Sequence, residues 1–176
     1  MDEQMRLGMT LRSILPFAAL AAFSFGALAD ENSGDGVTPD GFVRWNSDYI
    51  EEVADSLEQR LGDELLVWET VGNYDGHSIY LVLRGRTDRP EMHETESDVQ
   101  IGVRGTALSV VGGEMVDAVS MPRKQQRGSS IVGGLRKQTG PGDLIHIPPG
   151  VPHQLIIEPG EPYMYLLFKL DEEPLQ

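Results

Sequence analysis

The clearest helical pattern of the chain lies before residue 62. Apolar side chains recur every three or four residues from Ile50 to Leu61, which places them on one stripe of a helix. Asn46 or Ser47 can cap the first turn of this helix, and Gly62 stands where the glycine after a helix belongs. The pattern predicts one amphipathic helix that packs against the outside of a sheet.

Beyond this helix, short runs of apolar and β-branched residues alternate with turns rich in glycine, proline and asparagine. Such runs predict strands. The predicted strands span residues 65–70, 77–83, 99–103, 107–111, 144–147, 154–157 and 163–170, with a polar loop from 86 to 98. Many short strands divided by tight turns are typical of an all-β barrel or sandwich.

The first 29 residues have the pattern of a secretory signal peptide. Arg6 and Arg12 precede an apolar run over residues 14–25, and Ala27-Leu28-Ala29 offers a small-x-small cleavage site. The run is short and rich in alanine for a membrane span, although a retained anchor helix is the alternative. We therefore expect a periplasmic or secreted protein with a signal peptide over 1–29.

The remaining chain is predicted to form one domain. Residues 30–62 comprise a polar, mobile leader followed by the helix, and residues 63–176 comprise the β-barrel. A chain of 176 residues suits a single domain once a signal is removed. The absence of cysteine excludes a disulfide scaffold and a lipid-anchored cysteine, so stability must come from an ordinary core.

The formal net charge of −14 narrows the classes of partner. The charged residues of the signal segment cancel, so the mature part keeps the whole charge. Nucleic acid and anionic membrane surfaces carry phosphate and require Lys and Arg. We expect neither as a partner.

Residues 114–141 depart from this acidity. The segment is rich in glycine and carries five Lys or Arg residues against Glu114 and Asp117. A basic loop at the rim of a barrel could attract an anionic small molecule. A solvated loop or additional edge strands are the alternatives.

Residues 142–153 combine an apolar strand, a proline-glycine corner and a histidine. Proline cannot donate to a sheet and glycine tolerates positive φ, so Pro148-Pro149-Gly150 predicts a sharp turn. The turn would present His153 at the start of the next strand, as a metal or ligand site requires. An ordinary hairpin with a polar corner residue is the alternative.

Two spacings resemble the motifs of the cupin superfamily. The first motif, G-x5-H-x-H-x3,4-E-x6-G, corresponds to Gly85, Glu91, His93, Asp98 and Gly105. The second motif, G-x5-P-x-G-x2-H-x3-N, corresponds to Gly142, Pro148, Gly150 and His153, with Ile157 in place of the usual Asn. The resemblance covers roughly residues 65–170 and is similar to small secreted bacterial single-domain cupins. It implies a single cupin-type, jelly-roll β-barrel.

The resemblance also implies a metal site inside the barrel. Carried over by position, the ligands are Glu91, His93, Asp98 and His153, and the cofactor is one divalent transition metal: Mn, Fe, Ni or Zn. Glu91 replaces a usual His, and Asp98 replaces a usual Glu with a shorter side chain. The alternative is a barrel without metal, in which the carboxylates only hydrogen-bond the histidines.

Strand periodicity adds a pocket residue to this set. Residues two apart share a face where the chain is extended, so Glu91 and His93 would share one if that segment is extended, and Asp98 and Gln100 would share a face of the next strand. We therefore predict that Gln100 lines the pocket. Glu91, His93 and His153 alone would form a two-His-one-carboxylate set with open positions for substrate or oxygen.

His146 is a candidate catalytic residue. If it faces inward, it could act as a general base or hydrogen-bond donor near the metal. If it faces outward, it is an ordinary half-exposed residue, and the turn between it and His153 leaves the parity undetermined. His77 is predicted to be structural, and the tryptophans and tyrosines to belong to the core or barrel wall.

Two functions remain compatible with the sequence. The first is a metalloenzyme acting on a small anionic or oxygenated molecule, and the second is a non-catalytic binding or sensing protein with no metal or a structural one. Neither a nucleophile-elbow motif nor a nucleotide-binding loop is present. The expected partner is a small-molecule ligand, and the resemblance implies a homodimer formed through edge strands.

Overall fold

The computed structural model describes residues 39–171. The predicted signal peptide and most of the predicted leader lie outside the described residues.

Helix α1 spans Ser47–Leu61. The side chain of Asn46 accepts a hydrogen bond from the backbone of Tyr49 at 2.9 Å and so caps the first turn. Gly62, with φ of 44°, ends the helix. The buried stripe of α1 packs against one face of a sheet, in a cluster that contains Val53, Ala54, Leu57, Leu81, Leu83 and Met164. The amphipathic helix is therefore confirmed.

Residues 39–171 form thirteen strands. They are β1 (Leu66–Tyr74), β2 (His77–Arg84), β3 (Glu91–His93), β4 (Glu96–Arg104), β5 (Ala107–Val111), β6 (Glu114–Val116), β7 (Val119–Met121), β8 (Gln125–Arg127), β9 (Ser130–Val132), β10 (Leu135–Thr139), β11 (Leu144–Ile147), β12 (His153–Ile156) and β13 (Tyr163–Asp171).

The strands build two antiparallel sheets and a short ribbon. Sheet A has the order β1-β2-β13-β4-β11, and sheet B has the order β10-β5-β12-β3-β8-β7. The four-strand orders β2-β13-β4-β11 and β10-β5-β12-β3 are the two sheets of an eight-stranded jelly roll. β1 extends sheet A, and the hairpin β7–β8 extends sheet B. The predicted all-β jelly-roll class with one helix is confirmed.

Two segments differ from the prediction made from their polarity. The predicted loop over residues 86–98 contains β3 and the first residues of β4, because both strands line the barrel interior with polar side chains. The basic segment 114–141 forms strands β6 to β10. Of the alternatives for that segment, additional edge strands are therefore the observed one.

The space between the sheets is apolar at one end and polar at the other. The apolar end is a cluster of Val82, Ala107, Leu155, Ile157, Tyr163, Tyr165 and Leu167. The polar end contains buried His93, Asp98, Gln100 and His153. Burial of polar groups is unfavourable unless they are paired, so this end is the candidate site.

Candidate metal centre

Sheet pairing brings Glu91 and His153 face to face. His153 on β12 lies directly opposite Glu91 on β3, and His93 follows two residues later on the same face. One ligand atom from each of these three side chains lies within 4.8 Å of the others. The two motif segments therefore meet at one point.

The proline-glycine corner fixes this meeting of the two segments. Gly150, with φ of 74°, donates its backbone N–H to the carbonyl of His93 at 2.7 Å. Glycine adopts this left-handed conformation without the penalty that a side chain brings. The corner thus holds β3 at the position from which His93 and His153 face each other.

Asp98 reaches the same point from the opposite sheet. Its Oδ2 atom lies 3.6 Å from Nε2 of His93 and 3.5 Å from Nε2 of His153. The aspartate side chain, one methylene shorter than glutamate, therefore still reaches both histidines from β4. Burial alone would raise the pKa of Asp98, but its interactions with His153, His93 and Lys169 hold that pKa well below the ordinary value.

Gln100 lies on the same face of β4 as Asp98 and is buried. Its partners across the sheet are Ile145 and Leu167. A cavity of about 410 Å³ reaches Glu91 and His93, and Gln100 is not among the residues that line it. The Oε1 atom of Gln100 has no hydrogen-bond partner among residues 39–171. Gln100 is thus buried on the Asp98 face of β4, outside the lining of that cavity.

The ring of His153 is oriented by the backbone. Its Nδ1 lies 3.0 Å from the carbonyl oxygen of Val151, and a carbonyl only accepts, so Nδ1 carries the hydrogen. Nε2 then points at Oε1 of Glu91, 3.6 Å away, and at Oδ2 of Asp98. Within the described chain this buried Nε2 has no hydrogen-bond partner. A lone pair facing two carboxylates requires a cation between them, either a proton or a metal.

The two carboxylates favour a proton on His153. Burial alone would lower its pKa, but the interactions with Asp98 and Glu91 outweigh burial and raise the pKa of His153 to about 9. A metal binding there must displace this proton, since metal-ligating histidine uses a neutral nitrogen.

Two arginines hold Glu91 in the ionised state. Nη2 of Arg127 lies 2.7 Å from Oε2 of Glu91, and Nη2 of Arg84 lies 3.4 Å from Oε1. Burial alone would raise the pKa of Glu91, but His153 and the two guanidinium groups lower it below its ordinary value. Nε of Arg84 also donates to the hydroxyl of Tyr165 at 3.1 Å.

Lys169 on β13 completes the polar end of the barrel. Its Nζ donates to Oδ1 of Asp98 at 2.9 Å and to Oε2 of Glu96 at 3.2 Å, and it lies 3.1 Å from Nε2 of His93. Burial alone would lower the pKa of Lys169, but the charges of Asp98 and Glu96 raise it. The ammonium group therefore stays charged beside a histidine of the cluster.

The donor set fits a divalent transition metal. Two imidazole nitrogens and one or two carboxylates suit Mn, Fe, Ni or Zn. The unpartnered Nε2 of His153 and the fixed hydrogen on its Nδ1 are the features that a histidine ligand shows. The group of Glu91, His93 and His153 can therefore bind a metal.

The structure does not bring His146 to this cluster. His146 is exposed on β11 and pairs with Val99, whereas its neighbours Ile145 and Ile147 pair with Gln100 and Asp98. Cross-strand partners share a face, so His146 lies on the face opposite to that of Asp98 and Gln100. The interpretation of His146 as an ordinary exposed residue is the one that agrees with this register.

Several residues of the site were not predicted from the sequence. A cavity of about 410 Å³ above the cluster is lined by Trp68, Arg84, Arg127 and Lys169 in addition to Glu91, His93 and Asp98. Lys169 could have been found from alternation on its strand, since it follows inward-facing Tyr165 and Leu167 at steps of two. Trp68, predicted as core or barrel wall, faces this cavity and is 53% exposed.

Within residues 39–171 the structure contains no helix with the length and apolar character of a membrane-spanning segment. The predicted periplasmic or secreted location is not tested by this observation.

Comparison with known proteins gives similarity at the level of fold. No family profile matches the sequence, and no curated protein matches it. Similar solved structures include the polyketide cyclase RemF from Streptomyces resistomycificus (18% identity, 64% of this chain and 69% of that chain, TM-score 0.45). A second similar structure is KdgF from Halomonas sp., with 15% identity over 62% of this chain and 82% of that chain and a TM-score of 0.44. A third is a cupin 2 conserved barrel domain protein from Salinispora arenicola, with 16% identity over 61% of this chain and 76% of that chain and a TM-score of 0.43. The order of its own strands gives this chain an eight-stranded jelly-roll fold.

Proposed function

We propose that this protein is an exported metal-binding protein that binds or acts on a small anionic or oxygenated molecule inside the barrel. The observation that carries the proposal is the convergence of three donors, Glu91, His93 and His153, within 4.8 Å. The unpartnered Nε2 of His153 supports it, because that atom requires a cation and a metal could take the place of the proton there.

Glu91, His93 and His153 would hold the metal, with Asp98 as a further carboxylate. When bound, the metal would supply Lewis acidity or a site for oxygen. Arg84 and Arg127 keep Glu91 ionised, and the Val151 carbonyl keeps the Nε2 face of His153 turned toward the cluster.

The charge of the site favours an anionic ligand. Three cationic side chains, Arg84, Arg127 and Lys169, pair with four carboxylates, Glu91, Glu96, Asp98 and Asp88, which leaves an excess of one negative charge. A divalent metal would therefore leave the cluster with a net positive charge. The cavity above it is open to a ligand that brings the compensating negative charge.

Metal content and affinity test the proposal. We expect about one equivalent of metal after incubation with Mn, Fe(II), Ni or Zn and removal of the excess, measured by elemental analysis. His153→Gln and His93→Gln should each weaken binding at least 100-fold in titration calorimetry. His146→Gln is the matched control, since it removes an exposed histidine, and it should leave the affinity unchanged. The proposal would be contradicted if the protein retained no metal and if none of the four ions raised its thermal midpoint.

A second function is favoured by one contact. The ammonium group of Lys169 lies 3.1 Å from Nε2 of His93 and could take the place of a metal. The protein would then be a non-catalytic binding or sensing protein whose cluster is held together by Lys169 and a proton on His153. In that case His93→Gln and His153→Gln would leave small-ligand affinity largely intact, whereas loss of a metal ligand would abolish it.

Export is proposed from residues 1–29. The small residues Ala27 and Ala29 favour cleavage before Asp30. Mass spectrometry of the N-terminus after expression in a secreting host should find Asp30 first. An intact N-terminus in the cytoplasmic fraction would contradict the proposal.

A further inference from the structure

The turn between β7 and β8 has an unfavourable backbone conformation. Residues 122–124 connect Met121 and Gln125, which pair across the hairpin. Arg123 has φ of 64° and Lys124 has φ of 53°, so two consecutive L-residues with long side chains are left-handed. Glycine and asparagine adopt this conformation readily, and neither occurs here. Consecutive left-handed residues occur in tight hairpin turns, and strained residues cluster at functional sites, so this turn is a candidate for a role beyond joining the two strands.

A backbone hydrogen bond anchors this turn beside the metal cluster. The N–H of Glu94 donates to the carbonyl of Lys124 at 2.9 Å. Glu94 directly follows His93, so the turn is attached to the strand end that carries a metal-binding histidine. The hairpin pairing of β8 with β3 holds the turn in the same place.

Two cavities meet at this turn. The 410 Å³ cavity above the cluster and a neighbouring cavity of about 280 Å³ share Glu96, Arg123 and Lys169 among their lining residues. Lys124 lines the smaller cavity, which extends to the β1–β2 turn at residues 73–78. The two cavities therefore adjoin at the turn, and we refer to them together as the groove.

The groove offers different chemistry along its length. Arg123 is exposed, and its side chain has no hydrogen bond or ion pair within residues 39–171. Arg123 and Lys124 lie side by side at the edge of the smaller cavity, whose lining also includes Lys169 and the carboxylates of Asp75, Glu96 and Asp171. The larger cavity also presents the exposed indole of Trp68 together with Leu66 and Tyr80.

We propose that Arg123 and Lys124 form an oxyanion-recognition turn, and that the groove takes a small organic anion. The carboxylate or phosphate of the ligand binds at the turn, and its apolar or ring part packs on Trp68. The left-handed backbone is retained because it directs two cationic residues to one place. The inference rests on the proposed function in that both use the same cavity.

Three ring probes test the inference on the full-length mature protein. Phenyl phosphate and benzoate carry the two kinds of oxyanion, and benzyl alcohol is the neutral counterpart. We expect calorimetry to give at least tenfold tighter binding of one of the anions than of benzyl alcohol, and the better anion identifies the group. The preference should shrink as salt is added, because exposed charges are screened. Equal binding of all three probes, or binding of none, would overturn the inference.

Two double variants separate charge from backbone strain. Arg123→Gln with Lys124→Gln removes the charges and keeps the strain, so anion affinity should fall at least tenfold with no gain in thermal midpoint. Arg123→Asn with Lys124→Asn should lose the same affinity and gain thermal stability, because asparagine tolerates positive φ. Arg136→Gln with Lys137→Gln removes two charges from exposed β10 and should leave anion affinity within twofold.

The outcomes also separate this inference from the metal proposal. If both turn variants keep anion affinity while the wild type binds metal, the turn has no recognition role and the inference fails alone. If the protein binds no metal but the turn variants lose anion affinity, the metal proposal fails and the inference stands. A fall in thermal midpoint for both turn variants would show a structural role and would overturn the inference.

Discussion

The ammonium group of Lys169 lies beside two groups that could bind a metal. They are the Nε2 atom of His93 and the carboxylate of Asp98. Two cations at this separation repel, and burial weakens the screening by water. The same ammonium stabilises the cluster while no metal is bound, because it pairs with Asp98 and Glu96. Lys169 would therefore compete with a metal for these ligands.

Removal of this competitor should strengthen metal binding. We expect Lys169→Gln to bind Mn or Zn at least tenfold more tightly than the wild type in titration calorimetry. Lys137→Gln, which removes a lysine from exposed β10, is the control and should leave the affinity unchanged. A weaker site in Lys169→Gln would show that the lysine orients the ligands instead.

Protonation of His153 links the cluster to stability in the metal-free protein. The pKa of His153 is raised from 6.5 to about 9, so the native state binds this proton more tightly than the unfolded state. The contribution to stability is therefore complete below about pH 6.5 and is lost as the pH rises through about 9. The loss amounts to roughly 3 kcal/mol at most.

Urea unfolding with a chelator present measures this dependence. The free energy of unfolding should fall between pH 6.5 and 9 in the wild type, and His153→Gln should lack the fall in that range. His146→Gln should behave like the wild type because its ring is exposed. A flat profile for the wild type would refute the assignment of this proton to His153.

At the scale of elements, helix α1 is held to sheet A by two kinds of contact. Leu57 is fully buried against the sheet. On the exposed side, Arg104 on β4 pairs with Glu51, Asp55 and Glu58 of the helix. Burial of apolar area is worth more than exposed ion pairs, so the apolar stripe should dominate the attachment.

Two substitutions rank these contacts. Leu57→Ala should lower the free energy of unfolding by about 3 kcal/mol, since it leaves a cavity in a packed site. Arg104→Gln should cost about 1 kcal/mol, and the difference from wild type should vanish in about 1 M salt. Both values follow from urea unfolding at neutral pH. A larger effect for Arg104→Gln would mean that the charges hold the helix.

The extent to which these elements could be predicted depends on how local their determinants are. Helix α1 follows from its own stripe and cap, and the corner at Gly150 follows from its own residues. β3 was missed because it is only three residues long, two of them are polar, and its strand partners come from distant β8 and β12. The periodicity of a short segment does not indicate which distant strands it pairs with.

The residues of the site fall into the same two classes, those that local sequence predicts and those that only the fold brings together. Glu91, His93, Asp98 and His153 lie in two recognisable spacings, and the structure brings all four together. Arg84, Arg127 and Lys169 come from three other strands, and their role arises only when both sheets close over the cluster. The parity of His146 was undetermined because the corner interrupts the alternation, and the pairing of β11 with β4 determines it.

At the scale of the whole molecule, the cluster joins the two sheets of the jelly roll. Glu91, His93 and His153 lie on β3 and β12 of sheet B, whereas Asp98 lies on β4 of sheet A. A metal bound by all four would cross-link the sheets. Since only the folded chain brings these ligands together, metal binding should stabilise the whole fold by about 4 kcal/mol at a free metal concentration 1,000 times the Kd.

Asp98 decides whether this cross-link exists. Its Oδ2 lies at similar distances from the Nε2 atoms of both histidines, 3.6 and 3.5 Å, so we expect it to bind the metal. Asp98→Asn should therefore lose most of the stabilisation that metal gives to the wild type in urea unfolding. Glu96→Gln is the matched control, because Glu96 also pairs with Lys169 but approaches His93 at Nδ1, 3.6 Å away. Equal losses in the two variants would indicate a general effect of charge, and full retention in Asp98→Asn would restrict the ligands to sheet B.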